Sequence, residues 1–438
     1  MTTTYKPSEL GTADSNKVKC PECGAESPVK HARYVSDIEI ICVTDCCSHV
    51  LHLEVPENIK KLIYLDQWFV SELFAKKVDA DRKEIFERIL QKIIGLQQCE
   101  KIAVVVSYLN YTETAAMEYP DHRDPTWQLF SQLSVETLTR PQLDTVISQH
   151  VRSIVNPENE LHWSDILEKS PHRFCIPSIV MLTREPLKKI LQMENFESTI
   201  FNESAREIID NQLSQLPTDA GLDTCHELMT KLTTSDLIEG CKFGKNPQHG
   251  GGYQMYYGHV LPLVKALNIA GLSDDEAVDA IVNRGNPQLP ISTLLFIALE
   301  SLNLHKAQVA IKKSGALTQK EKKFSRSYGE SRTNDYSHIS TYAPYVDFIL
   351  TDNGVANLLN GNQLKPLGVE LACQVFSDQN ISELESELSN LAAQEESEEN
   401  LILRRLLSGF SEQEQRDKLS QELKERIMQN VRAMGYEI

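Results

Sequence analysis

The chain has 438 residues, 41% of them hydrophobic and 24% charged, so it can bury a sizeable core and has room for more than one structural unit. Its formal charge of −18 excludes a protein coated in basic surface for nucleic acid and leaves only a local basic patch for holding phosphates. No stretch is long and apolar enough to span a bilayer, and the opening MTTTYKPSELGTADSNK is polar with no apolar signal core, so no membrane partner is expected and the expected location is cytoplasmic.

Cysteines crowd the first part of the chain. Cys20, Cys23, Cys42, Cys46 and Cys47 lie within the first fifty residues, while Cys99, Cys175, Cys225, Cys241 and Cys373 are scattered singly, as buried thiols of a reducing compartment are. CPECG supplies a C-x-x-C pair on a tight turn, and ICVTDCCSHVLHLEV supplies a second knuckle after a strand-length spacer. Tetrahedral thiolate coordination of Zn²⁺ needs two such pairs face to face, which points to Cys20, Cys23, Cys42 and Cys46, with Cys47 or His49 as alternatives for the fourth ligand. The first fifty-odd residues thus resemble a zinc ribbon, in which a closed four-ligand ion is structural.

Beyond the ribbon, strands and helices alternate. KKLIYLD reads as a short apolar strand ending at Asp66, and helical spacing follows from Trp68 through FAKKVDADRKEIFERILQKIIGLQ, with a break near Asp79. KIAVVVS reads as a second strand, and NYTETAAMEYP as the opening of a helix carrying Glu113. Strand, helix, strand, helix implies a parallel sheet, whose strand carboxyl ends are where ligands sit, so Asp66 and Glu113 are expected to face one crevice.

From about Pro120 to Arg332 the patterns are helical, as in PQLDTVISQHVRSIV, SIVMLTREPLKKILQM, SAREIIDNQLSQL, DDEAVDAIVNRG and ISTLLFIALESLNLHKAQVAIKK. KFGKNPQHGGGYQMYYGH interrupts them with glycines and aromatics and reads as a loop between helices, the alternative being a substrate-facing loop. No phosphate-cradling glycine fingerprint for a nucleoside triphosphate or dinucleotide occurs.

SRTNDYSHISTYAPYVDFILTDNGVANLL then repeats the earlier geometry. Asp335 opens a helix, VDFILTD is a strand ending on Asp352, and another helix follows. Four acids, Asp66, Glu113, Asp335 and Asp352, are thereby expected at one end of a sheet, and like charges gathered in a crevice call for a cation. Helix capping is the competing account of Asp66, Asp335 and Asp352. Asp347 competes with Asp335 as the third acid but begins its strand, which puts it toward the far end.

With Asp66 in IYLD, Glu113 in SYLNYTE, Asp335 in NDYSHIS and Asp352 in ILTDN, the chain resembles the PIN-domain nucleases over about residues 60 to 119 and 333 to 375, roughly a quarter of its length. The resemblance implies an α/β, PIN-like parallel-sheet core in which the four acids bind one or two Mg²⁺ or Mn²⁺ ions and water cuts a phosphodiester, usually in RNA. It implies Asp66 and Asp352 as the most direct ligands, Glu113 as a ligand or water-orienting base, and Asp335 as a ligand through water or to a second ion. The long insertion between the second and third acids and the ribbon in front depart from the compact pattern. His338, one turn after Asp335, is a candidate donor to the scissile phosphate. Lys306, Lys312, Lys313, Lys320, Lys322, Lys323, Arg326 and Arg332 form the local basic stretch, with Lys323, Arg326 and Arg332 the candidate phosphate contacts nearest the acids.

PLGVELACQVF reads as one more strand, and the remainder as good helix formers, with a capping box of Ser382 and Glu385 at the start, apolar spacing at Leu384, Leu388 and Leu391, and a second helix set off at Ser408 and Gly409. The expected organisation is a ribbon over 1–58, a core in two halves over 59–119 and 333–378, a helical insertion over 120–332 and a helical tail over 379–438. The expected function is a metal-dependent endonuclease, with RNA as substrate by resemblance, in a setting that suits a regulated toxin or antiviral defence effector. The alternative is a catalytically inactive scaffold of the same fold that binds nucleic acid or protein through its ribbon and helices. A regulatory protein partner or self-association fits either.

Overall fold

The computed structural model describes residues 3–11, 17–36, 39–55, 61–74, 80–99, 101–106, 110, 114, 120–133, 142–155, 212–217, 219–246, 252, 256–282, 289–314, 332–395 and 397–408. The first unit holds β1 (Thr4–Tyr5), α1 (Pro7–Leu10), β2 (Lys17–Lys19), β3 (Glu26–Ser36), β4 (Glu39–Thr44) and β5 (Val50–Glu54). They form one sheet in the order β1-β5-β4-β3-β2, antiparallel except where β1 runs beside β5. Strand alternation turns Ile40, Cys42 and Thr44 of β4 and Leu51 and Leu53 of β5 to the buried side. Among the described residues this apolar face is covered by Leu10 of α1 and by a helix from the far end of the chain.

A parallel sheet follows, made of β6 (Lys61–Leu65) and β7 (Ile102–Val105), with α2 (Gln67–Phe74) and α3 (Ala80–Gln98) between them, then α4 (Pro120–Leu133). Next come α5 (Gln142–Val155), α6 (Leu222–Lys245), α7 (Leu261–Ile269), α8 (Asp274–Val282), α9 (Ile291–Ser314) and α10 (Arg332–Tyr342), numbered over the described elements. The chain then returns to the sheet with β8 (Phe348–Leu350), α11 (Asn353–Leu359) and β9 (Gln374–Phe376), and ends in α12 (Ile381–Ala393) and α13 (Glu398–Ser408). The strand order is β7-β6-β8-β9, every pair parallel. The short runs KLIYL, IAVV, FIL and QVF are almost wholly apolar because both faces are covered.

Alternation sorts the strand side chains between two layers. Ile63, Leu65, Ile102, Val104, Phe348, Leu350 and Phe376 pack against α2, α3, α4 and α12. Leu62, Tyr64, Ala103, Val105, Ile349 and Val375 pack against α9, α10 and α11. Two helices of the expected insertion, α4 and α9, therefore belong by packing to the α/β unit, while α5 to α8 form a separate cluster around Leu263, Val264, Leu267, Val278 and Ile281. Helix α9 is buried toward both, with Leu295 and Leu299 on the sheet side and Ile297 and Leu304 against α6, as expected of a helix that is apolar around most of its circumference.

The stretch expected as a glycine-rich loop is partly helical. Lys242 to Lys245 finish α6, and Tyr256–Val260 form a π-helical turn that runs into α7. Gly244 is required there, because a Cβ would collide with the ring of Tyr256.

The helical tail divides between the two units. Ile381, Leu384, Leu388 and Leu391 of α12 recur at helical spacing and are buried in the α/β core, each burial stabilising by about 1.5–3 kcal/mol. Lys101 Nζ donates at 3.0 Å to the carbonyls of Leu391, Ala392 and Gln394, placing a cation at the negative end of α12. The expected capping box is not formed: α12 starts at Ile381 with Asn380 preceding it, and Glu385 instead accepts from Arg88 at 3.0 and 3.2 Å. Helix α13 begins at Glu398, ahead of the expected second helix, and its Ile402, Leu403 and Leu406 complete the core of the first sheet with Leu10, Val18 and Leu53.

Candidate functional site

The strand order β7-β6-β8-β9 reverses direction between β6 and β8, since β6 connects outward to β7 on one side and the chain comes back on the other. Parallel α/β sheets leave a crevice at such a point, beyond the strand carboxyl ends. Asp66 follows β6 and Asp352 follows β8 by two residues, so both stand at that crevice. The ladder continues to the edge, with Asp66 N–H donating to Leu350 O at 2.9 Å. Thr351 Oγ1 donates to Asp66 Oδ2 at 2.7 Å and fixes that carboxyl. Asp352 Oδ1 accepts from Gly354 N at 2.6 Å and Val355 N at 3.3 Å, so it caps α11 while standing beside Asp66.

Burial pushes the Asp66 carboxyl above the usual carboxylate range, the Thr351 hydrogen bond opposes this, and the charge of Asp352 pushes it further up. A carboxyl held beside another acid in a crevice is relieved by a cation. Oxygen donors alone suit a hard divalent ion, and among the described residues Asp66 and Asp352 bring such donors to this edge.

Asp335 lies in the first turn of α10, inside the helix and not at its cap. Its level follows from a contact one turn further on, where His338 Nδ1 meets Tyr64 Oη at 3.3 Å. Helix α10 feeds β8 from the strand's amino end and so runs against the strands. Stepping back from His338 to Asp335 climbs about 4.5 Å, and stepping on from Tyr64 to Asp66 climbs about 6.6 Å in the same direction and on the same face. Asp335 is thus on the Asp66 side of the sheet near its carboxyl edge.

Glu113 lies outside the described residues; its neighbours Asn110 and Thr114 are buried, with Thr114 Oγ1 donating to Asn110 O at 2.6 Å across one helical turn. Lys323 and Arg326 also lie outside them, and Arg332 begins α10. His338 is not on the expected surface: it is 3% exposed, burial drives it down to about 3, and its ring meets Tyr64 in the core. Asp347 sits at the opposite end of the sheet, accepting from Lys61 Nζ at 2.7 Å and Leu62 N at 2.8 Å. Thr351 was not singled out by the sequence, although a hydroxyl directly before the acid in ILTDN was there to read.

The second candidate centre is in the N-terminal sheet, where a ribbon was expected. Cys20, Cys23, Cys46 and Cys47 have ligand atoms all within 4.8 Å of one another, the only such group of three or more His, Cys, Asp or Glu residues among those described, and they can bind a metal such as zinc. Sγ of Cys20 lies 3.5 Å from Cys47 and Sγ of Cys23 lies 3.4 Å from Cys46.

Cys42 is a correction. It lies inside β4, fully buried among apolar side chains, and burial pushes its thiol up to about 12. The true second knuckle starts two residues later. Cys20 N donates to Ala25 O at 2.9 Å around the first turn, and Thr44 N donates to His49 O at 3.0 Å around the second. Gly24 (φ 72) and Ser48 (φ 54) take the same left-handed position in each. Thr44 therefore occupies the place that Cys20 holds in the first turn, with Oγ1 3.9 Å from the sulfurs of Cys20 and Cys47, and Cys46 supplies the ligand that Thr44 lacks. The Ser27 and Thr44 hydroxyls draw the Cys46 thiol down to about 6, toward the thiolate a metal binds.

No helix among the described residues is long and apolar enough to cross a membrane. The fold is α/β, built on a parallel sheet with helices on both faces and preceded by a cysteine-bearing sheet. No family model, curated protein or solved structure matches the chain.

Proposed function

We propose that the crevice is the active site of a metal-dependent phosphodiesterase acting on nucleic acid, with RNA preferred on the strength of the PIN-domain resemblance. One observation carries the reading: Asp66 and Asp352 stand together at the strand-order reversal, and burial, with the Asp352 charge adding to it, raises the Asp66 carboxyl, a strain that a divalent cation relieves. Asp66 and Asp352 would hold the ion, with Asp335 and Glu113 completing the acidic rim. Thr351 ties down one oxygen of Asp66 and thereby sets the direction of the carboxyl, and the α11 amides do the same for Asp352. When bound, Mg²⁺ or Mn²⁺ supplies a more acidic water and offsets charge at the phosphate. An ion held by the four cysteines would have no open position, which favours a structural role for it.

The test is incubation of the purified chain with labelled single-stranded RNA, tRNA and DNA in Mn²⁺, Mg²⁺ or EDTA, beside Asp66→Asn and Asp352→Asn. Asn is itself a good N-cap, so Asp352→Asn keeps α11 while removing the charge. Metal-dependent cleavage lost in both variants is the expected result. No cleavage of any substrate with either metal sinks the nuclease reading in favour of the inactive scaffold.

A further inference from the structure

Helix α4 carries a charge where its pattern calls for an apolar residue. Its inward stripe reads Leu133, Phe130, Thr126 and Arg123 at helical spacing, and Phe130 and Leu133 pack in the core with α2 and α3. Arg123 is 7% exposed. Its Nε donates to Asp124 Oδ1 at 3.0 Å, and its Nη2 is buried with no hydrogen-bond partner. Asp124 is itself 53% exposed, so the pair is a weak surface contact and does not account for a buried guanidinium.

The position of Arg123 along the sheet can be read from two contacts. At the amino end, Gln97 Nε2 of α3 donates to Leu133 O of α4 at 2.8 Å. At the carboxyl end, Phe86 of α3 packs on Phe69 at 5.1 Å and Trp68 at 5.5 Å between ring centroids, just past Asp66. Phe86 is about 16 Å up α3 from Gln97, and Arg123 about 15 Å up α4 from Leu133. Helix α4 also touches α2, which starts directly after Asp66. Arg123 therefore lies at the level of the acidic crevice.

We propose that Arg123 is a phosphate-contacting residue, whose Nη2 takes a non-bridging oxygen of the nucleic-acid backbone at the strand carboxyl ends, from the helix layer across the sheet edge from the Asp66 face. Guanidinium presents planar donors matched to phosphate oxygens, cannot lose its charge, and is weakly enough hydrated to be kept in a buried place. Seating the phosphate requires the side chain to turn outward, exchanging its exposed Asp124 partner for the anion. This rests on the phosphodiesterase reading.

The experiment measures binding of fluorescein-labelled single-stranded RNA and DNA by anisotropy over a salt series, in the full chain carrying Asp352→Asn with Mg²⁺, so that binding is read without cleavage. Adding Arg123→Gln is expected to weaken binding about tenfold and to make the slope of log affinity against log salt shallower by about 0.7, one phosphate contact on a single strand. Arg123→Lys should recover part of both. Asp124→Ala separates an anchor from an internal strut: an anchor freed of its competitor binds as well or better, whereas a strut loses thermal stability and affinity together. Unchanged affinity and slope in Arg123→Gln overturn the proposal, and leave the active-site reading standing if Asp66→Asn abolishes cleavage. Failure of the chain without Arg123→Gln to bind either probe overturns both.

Discussion

In the ribbon, four sulfurs from two hydrogen-bonded turns close around one point, and all four ligands come from a stretch of fewer than thirty residues. At the end of the parallel sheet, oxygens come from elements almost three hundred residues apart, and each acid has a second tie, Asp66 to Thr351 and Asp352 to the α11 amides. The first arrangement could enclose an ion with four soft ligands, which would leave no position for a reactant. The second brings hard oxygen ligands to the strand carboxyl ends, the edge where parallel sheets place their ligands. An ion is thus expected to hold the ribbon together, whereas at the crevice the fold is already complete and the acids there are a source of repulsion.

The largest test of that contrast is Cys47→Ser against Cys42→Ala. Structural zinc in small modules carries on the order of 10 kcal/mol of folding free energy, so Cys47→Ser is expected to lose the ion and unfold the ribbon. Cys42→Ala removes a buried thiol for a cost of about 1 kcal/mol and keeps the ion. Elemental analysis of the purified variants reads both, and retention of zinc by Cys47→Ser would return the fourth position to Cys42.

Next in size is the ribbon's reliance on the tail. Leu403 of α13 is fully buried in the ribbon core, and Leu403→Ala should destabilise that unit by about 2–5 kcal/mol. Hydrogen exchange is expected to quicken in β4 and β5 while β6 to β9 keep their protection. Equal loss in both sheets would show that they unfold as one.

At the crevice the sign reverses. Asp66 has its folded-state pKa raised, so its ionised form costs stability at any pH above that raised value, and the cost is relieved as pH falls through it. Asp66→Asn is therefore expected to raise stability at neutral pH by about 1 kcal/mol while abolishing metal-dependent cleavage. The parent chain should gain melting temperature on adding Mn²⁺ and the variant should not. A variant less stable than its parent would make Asp66 a structural residue.

What the sequence made legible follows from how local each signal is. Strand ends at Asp66 and Asp352 could be read because a fully buried parallel strand is a short apolar run with an abrupt polar stop. The first knuckle could be read because C-x-x-C-G lies in one turn. The second misled because its turn begins with Thr44, so the eye takes Cys42 as the opening ligand, and only backbone hydrogen bonds reveal the frame. Spacing marks Leu384 as buried but does not tell which of the two sheets a tail helix covers, since α12 and α13 are similar in pattern and differ in destination. His338 misled for a related reason: its spacing from Asp335 predicts the face of α10, and that face meets Tyr64 and the core instead of solvent. Thr44→Cys follows from the knuckle frame. It completes a second C-x-x-C pair and is expected to make Cys46→Ser tolerable in the double variant, which elemental analysis would show as zinc retained.

The smallest effect concerns the contact that ties the tail to the α/β core. Glu385 of α12 is drawn down to about 2, first by its hydrogen bond from Arg88 and then by that from Lys92, which approaches to 3.1 Å. A carboxylate whose folded-state value lies below its unfolded one contributes fully above the unfolded value, and loses that contribution as pH falls from about 4.5 toward about 2. Glu385→Gln should lower the denaturation midpoint slightly near neutrality, a small effect because solvent screens the pair, flatten its acid dependence over that window, and converge with the parent chain toward pH 2. Because α12 leads within a few residues to α13, the same window should see the ribbon's protection from exchange decline alongside the α12 contact in the parent chain. If acid releases α12 while the ribbon stays protected, α13 holds the ribbon without help from the core, and the two units are joined by covalent chain alone.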